Sequence, residues 1–200
     1  MLDDPDSTTG YRPDARHDPL RPLLDDHTLA RTVLGAMEAA ALRERVGHPV
    51  DVSTWHRVLA FFDDYFDGVH HPKEDELLLP LLHRAGFAAP GSAAARMQQE
   101  HERMAPFREH LRHAVDARAP SELRATVQAF VSLHRRHMAL EEQHVFPMVR
   151  AVFATVTQHE LQAAFEALDH VMRPCREHAH RLVTAILTVT RADDPHLEAD

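Results

Sequence analysis

Two segments of this chain repeat one pattern, and that repeat restricts the possible fold more than any other feature. His70-His-Pro-Lys-Glu74 and His137-Met-Ala-Leu-Glu141 both read HxxxE, and each Glu is followed six residues later by a proline, Pro80 and Pro147. Residues four apart in a helix lie on one face, stacked about one turn apart. An imidazole and a carboxylate stacked this way can grip one metal ion, or one ion and its neighbour. Two such grips on separate helices predict a metal site near the middle of a helical bundle.

The surrounding pattern is helical from about residue 19 to 191, with few glycines and almost no β-branched alternation, so the expected class is all-α. A first helix is expected over about 19–46, with Leu20, Leu23, His27, Ala30 and Leu34 inward and Gly47-His-Pro at its end. A second starts at Asp51 or Ser53 and runs to about Arg84, its stripe passing through Leu59, Phe62, Phe66, His70 and Glu74. Ser92 caps a third, to about Ala117, with Met97, His101, Met104 and Leu111 inward. Ser121 opens a fourth, bearing Val127, Phe130, His134, His137 and Glu141.

A fifth helix, about 158–190, carries Leu161, Phe165, Leu168, Met172 and Leu182, which need a partner surface on the bundle or in a homodimer. Pro72, Pro80, Pro106, Pro147 and Pro174 fall inside these patterns and predict kinks or short breaks. The expected organisation is a tail over 1–18, an antiparallel up-down four-helix bundle over 19–155, a fifth helix over 156–191 and a second tail over 192–200.

Ligands on different helices must share one height. At about 1.5 Å per residue, His27 lies roughly 28 Å before the end of the first helix and His70 about 27 Å after the start of the second. His101 and His137 each lie roughly 24 Å from the turn between them. Across the second turn His70 and His101 differ by roughly 9 Å, or about 4 Å counted from Glu74. Four His and two Glu are therefore expected in one layer. The alternative is six unrelated polar residues on amphipathic helices, but two buried carboxylates without partners would be costly.

Imidazole and carboxylate without thiolate suit Fe, Mn or Zn. A single tetrahedral Zn takes four ligands and would leave two charged groups idle. Six ligands divide over two metals, two His each, with Glu74 and Glu141 bridging. A bridging oxo or hydroxo group would bring each metal to five ligands and leave one position open. His134, one turn before His137, and His71, beside His70, are further candidate ligands. Tyr65 is placed to hydrogen-bond near the centre or to pack, and Asp63, Asp64 and Asp67 are expected at a solvated edge.

Composition narrows the rest. Two hundred residues, 44% of them hydrophobic, can build one domain with a substantial core. A lone cysteine, Cys175, allows neither an internal disulfide nor a thiolate metal site. The net charge of −9 argues against nucleic acid as a partner. No run approaches the roughly 20 apolar residues of a membrane span. The acidic, polar first ten residues lack the basic and apolar regions of a leader, so a cytoplasmic location is expected.

The order His27, His70-x-x-x-Glu74, His101, His137-x-x-x-Glu141 resembles the hemerythrin-like, HHE cation-binding family over about residues 20–150. The resemblance implies an antiparallel four-helix bundle holding a non-haem di-iron centre. It departs from the family's invertebrate oxygen carriers, whose third helix supplies two His four apart, where this chain has Ala105. Their fourth-helix carboxylate is an Asp at another spacing, so an oxygen-carrier role is not inherited. The function expected is binding or reduction of a small oxidant (dioxygen, peroxide or nitric oxide) at an open iron position, with catalase-like peroxide consumption as one form. Iron handling, including sensing, buffering or donation to iron–sulfur proteins, is an alternative. A structural or regulatory module with a redox-silent metal is another.

Overall fold

The computed structural model describes residues 18–191, and the expected tails lie almost wholly outside that range. Six helices follow one another: α1 (Arg21–Arg45), α2 (residues 52–84), α3 (Ala93–Asp116), α4 (residues 120–152), α5 (Thr155–Val171) and α6 (Arg173–Arg191). The protein is an all-α helical bundle. Among the described residues no helix is long and apolar enough to cross a membrane.

Local chemistry sets the boundaries. Asp51 and Ser92 accept hydrogen bonds from Ser53 N and Ala95 N, capping α2 and α3 as their sequences predict. Gly47 and Gly86 adopt φ of 83° and 82°, and His48 N and Phe87 N reach back five residues to the carbonyls of Arg43 and Leu82. This left-handed closure is what glycine supplies at a helix end. The fourth helix begins at Pro120 rather than Ser121, because proline's missing N–H costs nothing in the first turn.

Side-chain pairs fix helix directions. From α1 to α4, Asp18 meets Arg150, Arg31 meets Glu142 and Glu38 meets Arg135, so the two run antiparallel. From α2 to α3, His56 meets Asp116, Asp63 meets Arg112 and Asp75 meets His101, again antiparallel. Asp26 meets Arg176 and Arg43 meets Val189, so α6 runs parallel to α1. It packs on α1 and on the first half of α2, while α5 packs on the second half of α2.

Two features differ from the sequence reading. The single helix expected over 158–190 is two, broken at Met172 just before Pro174, and α6 buries Ala179, Val183 and Ile186. Leu168, Met172 and Leu182 are only partly buried.

The HxxxE segments are also not regular α-helix. Phe61–His70, Lys73–Leu78 and Glu141–Val145 are π-helical. His71 N, Leu79 N and Phe146 N bond to the carbonyls five residues back, on Phe66, Glu74 and Glu141. Each of those donors immediately precedes a proline, Pro72, Pro80 or Pro147. A proline ring clashes with the carbonyl four residues back in an α-helix, and a widened turn relieves that clash. The proline six residues after each glutamate therefore accounts for the wide turn that starts at it.

Apolar packing divides into two clusters. One contains Ala30 to Ala40, Trp55 to Val69, Leu111 to Val115 and Leu123 to Val131. The other contains Leu20, Leu23, Leu78 to Leu82, Ala94, Met97 and Leu140 to Val149. On α1, α2 and α3 the candidate ligands fall between the two, and on α4 His137 and Glu141 flank the point where Met138 of one cluster gives way to Leu140 of the other.

Candidate metal centre

Between the clusters lies a polar layer. His27, His70, Glu74 and Glu141 form one group of four, and His71, Glu74, His101 and His137 form another. Within each group one donor atom from every residue lies within 4.8 Å of the others. All six expected residues converge, and Glu74 belongs to both groups. The first tetrad is called inner here, since its four side chains are 0% exposed. The second is outer, because His101 keeps 7% exposure beside a surface cavity of about 350 Å³ lined by Asp75, Pro80, His83, Gln98 and Glu102.

Glu141 also faces both ways. Its Oε2 lies 3.0 Å from His27 Nε2 on the inner side, and its Oε1 2.8 Å from His137 Nε2 on the outer side. Glu74 Oε2 is 3.2 Å from His101 Nε2 and 3.6 Å from His70 Nε2. Two carboxylates thus sit between two sets of imidazoles, as bridging ligands would.

His71 completes the outer set. Successive residues of an α-helix point about 100° apart, so His70 and His71 would not both face inward from a regular helix. The structure accommodates both by sending His70 to the inner tetrad and His71 to the outer one. His134 is placed elsewhere. Its Nδ1 bonds to the carbonyl of Phe130 at 2.9 Å, and its ring packs among Phe62, Phe66 and Phe130, outside both tetrads. Burial pushes this imidazole down to about 3, so it is neutral.

A second observation unifies the five imidazoles. Each turns Nδ1 toward a carboxylate outside the tetrads: His27 to Glu142 at 2.7 Å, His101 to Asp75 at 2.8 Å and His137 to Glu100 at 3.2 Å. His71 faces Asp67 at 3.1 Å and His70 faces Asp26 at 3.5 Å. A carboxylate on Nδ1 fixes the ring's orientation and leaves Nε2 for a metal. Asp67, expected on a solvated edge, is instead one of these partners and is gripped by Arg108. The sequence reading missed all five carboxylates.

The electrostatics show a layer that calls for positive charge. Burial opposes a proton on His27, yet Glu141 and Glu142 outweigh it and push the group up to about 9. Burial is likewise overcome on His137 by Glu141 and Glu100, to about 9, and on His101 by Asp75, Glu141 and Glu74, to about 12. Glu141 is held well below the usual carboxylate range, burial notwithstanding, by His137, His101 and His27. His71 is driven well below its ordinary value by burial and by the neighbouring His101 and His70.

The donor set fits metal. All four oxygens of Glu74 and Glu141, and Nε2 of His27, His70 and His71, are buried without an aligned hydrogen-bond partner. Leaving that many buried polar atoms unpaired is costly. Five nitrogens and two bridging carboxylates around two positions suit a pair of first-row ions.

The comparisons with known proteins agree with this geometry. The family model described as the hemerythrin HHE cation binding domain matches residues 18–149 and, a second time, residues 92–196. No curated protein and no solved structure matches the chain.

Proposed function

Because the chain belongs to the hemerythrin HHE cation-binding family, we propose that the two tetrads hold two iron ions and that the pair binds or reduces a small oxidant. The observation that carries this is the unequal division of imidazoles. His71, His101 and His137 stand around one position and only His27 and His70 around the other, with Glu74 and Glu141 between them. With a shared oxo or hydroxo group, His71, His101, His137 and the two glutamates would give the outer ion six ligands, and His27, His70 and the same glutamates would give the inner ion five. The inner position is therefore where an oxidant would bind.

A pair of ferrous ions held there would supply two electrons to a bound oxidant. The protein's own part is selection and orientation. His27 stacks on Phe146 and His70 on Phe66, with ring centroids 5.6 and 4.3 Å apart, so apolar rings wall the inner side. A site closed to this degree favours dioxygen, nitric oxide or hydrogen peroxide over bulky peroxides. Manganese or zinc would suit the same donors, but zinc would leave the site redox-silent.

The test is iron per chain and the near-ultraviolet and visible spectrum of protein made in iron-replete cells, followed by oxidant assays. Two irons per chain, oxo-to-iron charge-transfer bands and dioxygen evolution from hydrogen peroxide but not from cumene hydroperoxide are expected. One zinc per chain, or no stoichiometric metal, contradicts the proposal.

A further inference from the structure

Lys73 is the only lysine of the chain, and it is 0% exposed. Lysine is almost never fully buried unless paired. Its Nζ lies 2.6 Å from Asp26 Oδ2 and 2.7 Å from Asp169 Oδ1. Arg176 donates through one nitrogen to both acids, at 2.9 Å each. Tyr65 donates its hydroxyl to Asp26 Oδ1 at 2.5 Å and lies under the Arg176 guanidinium, 5.7 Å away. Two acids, two bases and a phenol thus form one closed cluster. Asp169 and Arg176 reach it from α5 and α6, while Asp26 and Lys73 come from α1 and α2.

Such a cluster has a weak rationale as a stabiliser. Replacing a buried ion pair with apolar side chains of similar volume is often neutral or favourable. Its position supplies a better one. Asp26 Oδ2, the oxygen that accepts from Lys73, is also the one that faces His70 Nδ1. Each oxygen of Asp26 is therefore fixed by donors: Oδ1 by Tyr65 and Arg176, Oδ2 by Lys73. A carboxylate held on both oxygens cannot rotate, and so keeps its charge fixed 3.5 Å from His70 Nδ1, a buried atom that has no aligned hydrogen-bond partner.

We infer that Asp26 is the positioning residue for His70, and that Arg176 and Asp169 of the C-terminal helix pair, with Lys73, hold Asp26 in place. The inference rests on the reading of His70 as a ligand of the inner metal. It makes α5 and α6 part of the metal centre rather than a cover over one side of the bundle. His27, the other inner imidazole, is oriented from α4 through Glu142 and Arg31, so the two inner ligands are set by separate devices.

The test uses the full chain loaded with two equivalents of cobalt(II), whose d–d bands report ligand geometry and whose loss to EDTA can be timed. Three variants are compared with the parent: the charge-balanced Asp26→Asn with Lys73→Met, the surface-accessible Arg176→Met, and Arg176→Lys, which keeps the charge. The first should speed release of one of the two ions by about 10–100-fold and shift its bands, the range expected for an outer partner of a ligand histidine. Arg176→Met should act on the same ion in the same direction but less, and Arg176→Lys should restore most of the parent behaviour. Unchanged bands and release rates in Arg176→Met and the double variant, even with a lower melting temperature of the metal-free protein, would overturn the inference and leave two-metal binding standing. A parent chain that takes up fewer than two cobalt ions would overturn the metal reading and the inference together.

Discussion

The inner and outer tetrads meet at two carboxylates, Glu74 in both and Glu141 in the inner one with Oε1 on the outer His137, but they are supported differently. Around the inner one every side chain is sealed, and the outer carboxylates are held by cations: Glu142 by Arg31, and Asp26 by Lys73 and Arg176. Around the outer one Asp67 is held by Arg108, but Asp75 and Glu100 have no cationic partner among the described residues. Asp75 is also 43% exposed and lines the cavity beside His101. The position with fewer imidazoles is thus the more rigidly braced, and the position with more imidazoles stands nearer to solvent. On the proposed two-ion reading, rigid support would keep the inner position from being closed over by its neighbours. The fuller outer set would need less support and would exchange its ion through the cavity.

The largest expected effect comes from removing a carboxylate that faces both positions. Glu141→Ala should abolish binding of both ions, with affinity falling by more than the roughly 100-fold upper limit of an outer-shell change. Retention of one tightly held ion in that variant would show the tetrads to be independent.

Next come single ligands. His27→Ala should cost the metal-free protein about 3–5 kcal/mol, because it strips the imidazole from Oε2 of the buried Glu141 and breaks that buried pair. His101→Ala, at the cavity wall, should cost about 1.5–3 kcal/mol, the worth of a hydrogen bond to a charged group. Urea unfolding of the two variants checks the order. The metal outcome should follow the same division, with His101→Ala keeping one ion per chain.

A smaller effect separates the outer carboxylates. Asp75→Asn should loosen the outer ion by about 10-fold and Glu142→Gln the inner ion by more, within the 10–100-fold range of such partners. Equal effects would remove the asymmetry in support.

The smallest involves pH and His134, which lies outside both tetrads. Its pKa in the fold, about 3, is below its ordinary value of 6.5, so the unfolded chain binds the proton first. Stability falls as pH drops from about 6.5 toward 3, at up to about 1.4 kcal/mol per unit from this group. Metal-free His134→Phe should therefore lose less stability than the parent over that window. His71 acts in the same direction, so the variant should be flatter rather than flat.

Much of the bundle was legible because its punctuation is local. Gly47, Asp51 and Ser92 act within a few residues of themselves, and the apolar stripes need only helical period. The convergence of the six candidate ligands was legible because HxxxE spacing and shared height are properties of a one-dimensional pattern. His71 was a further candidate because it sits beside His70, but that it joins His101 and His137 while His70 joins His27 is a tertiary arrangement with no sequence period. The prolines were visible and predicted kinks or short breaks, but not that the irregularity at Pro72, Pro80 and Pro147 would be a wide turn. Asp26, Lys73, Asp67 and Arg176 look like ordinary charged residues along their helices. Only tertiary contacts with no period reveal what they hold: α3 against α2 for Asp67, and α5 and α6 on the bundle for the other three. The break before Pro174 was signalled by that residue, and it made two helices of the one expected.

The account stands most directly on two metals at two distinguishable places. Anomalous X-ray diffraction at the iron edge, on crystals of the iron-loaded protein, tests this in one measurement. The expected result is two peaks per chain, one against His27 and His70 and the other against His71, His101 and His137, with Glu74 and Glu141 touching both. A single peak, or two peaks that do not share those glutamates, would contradict it.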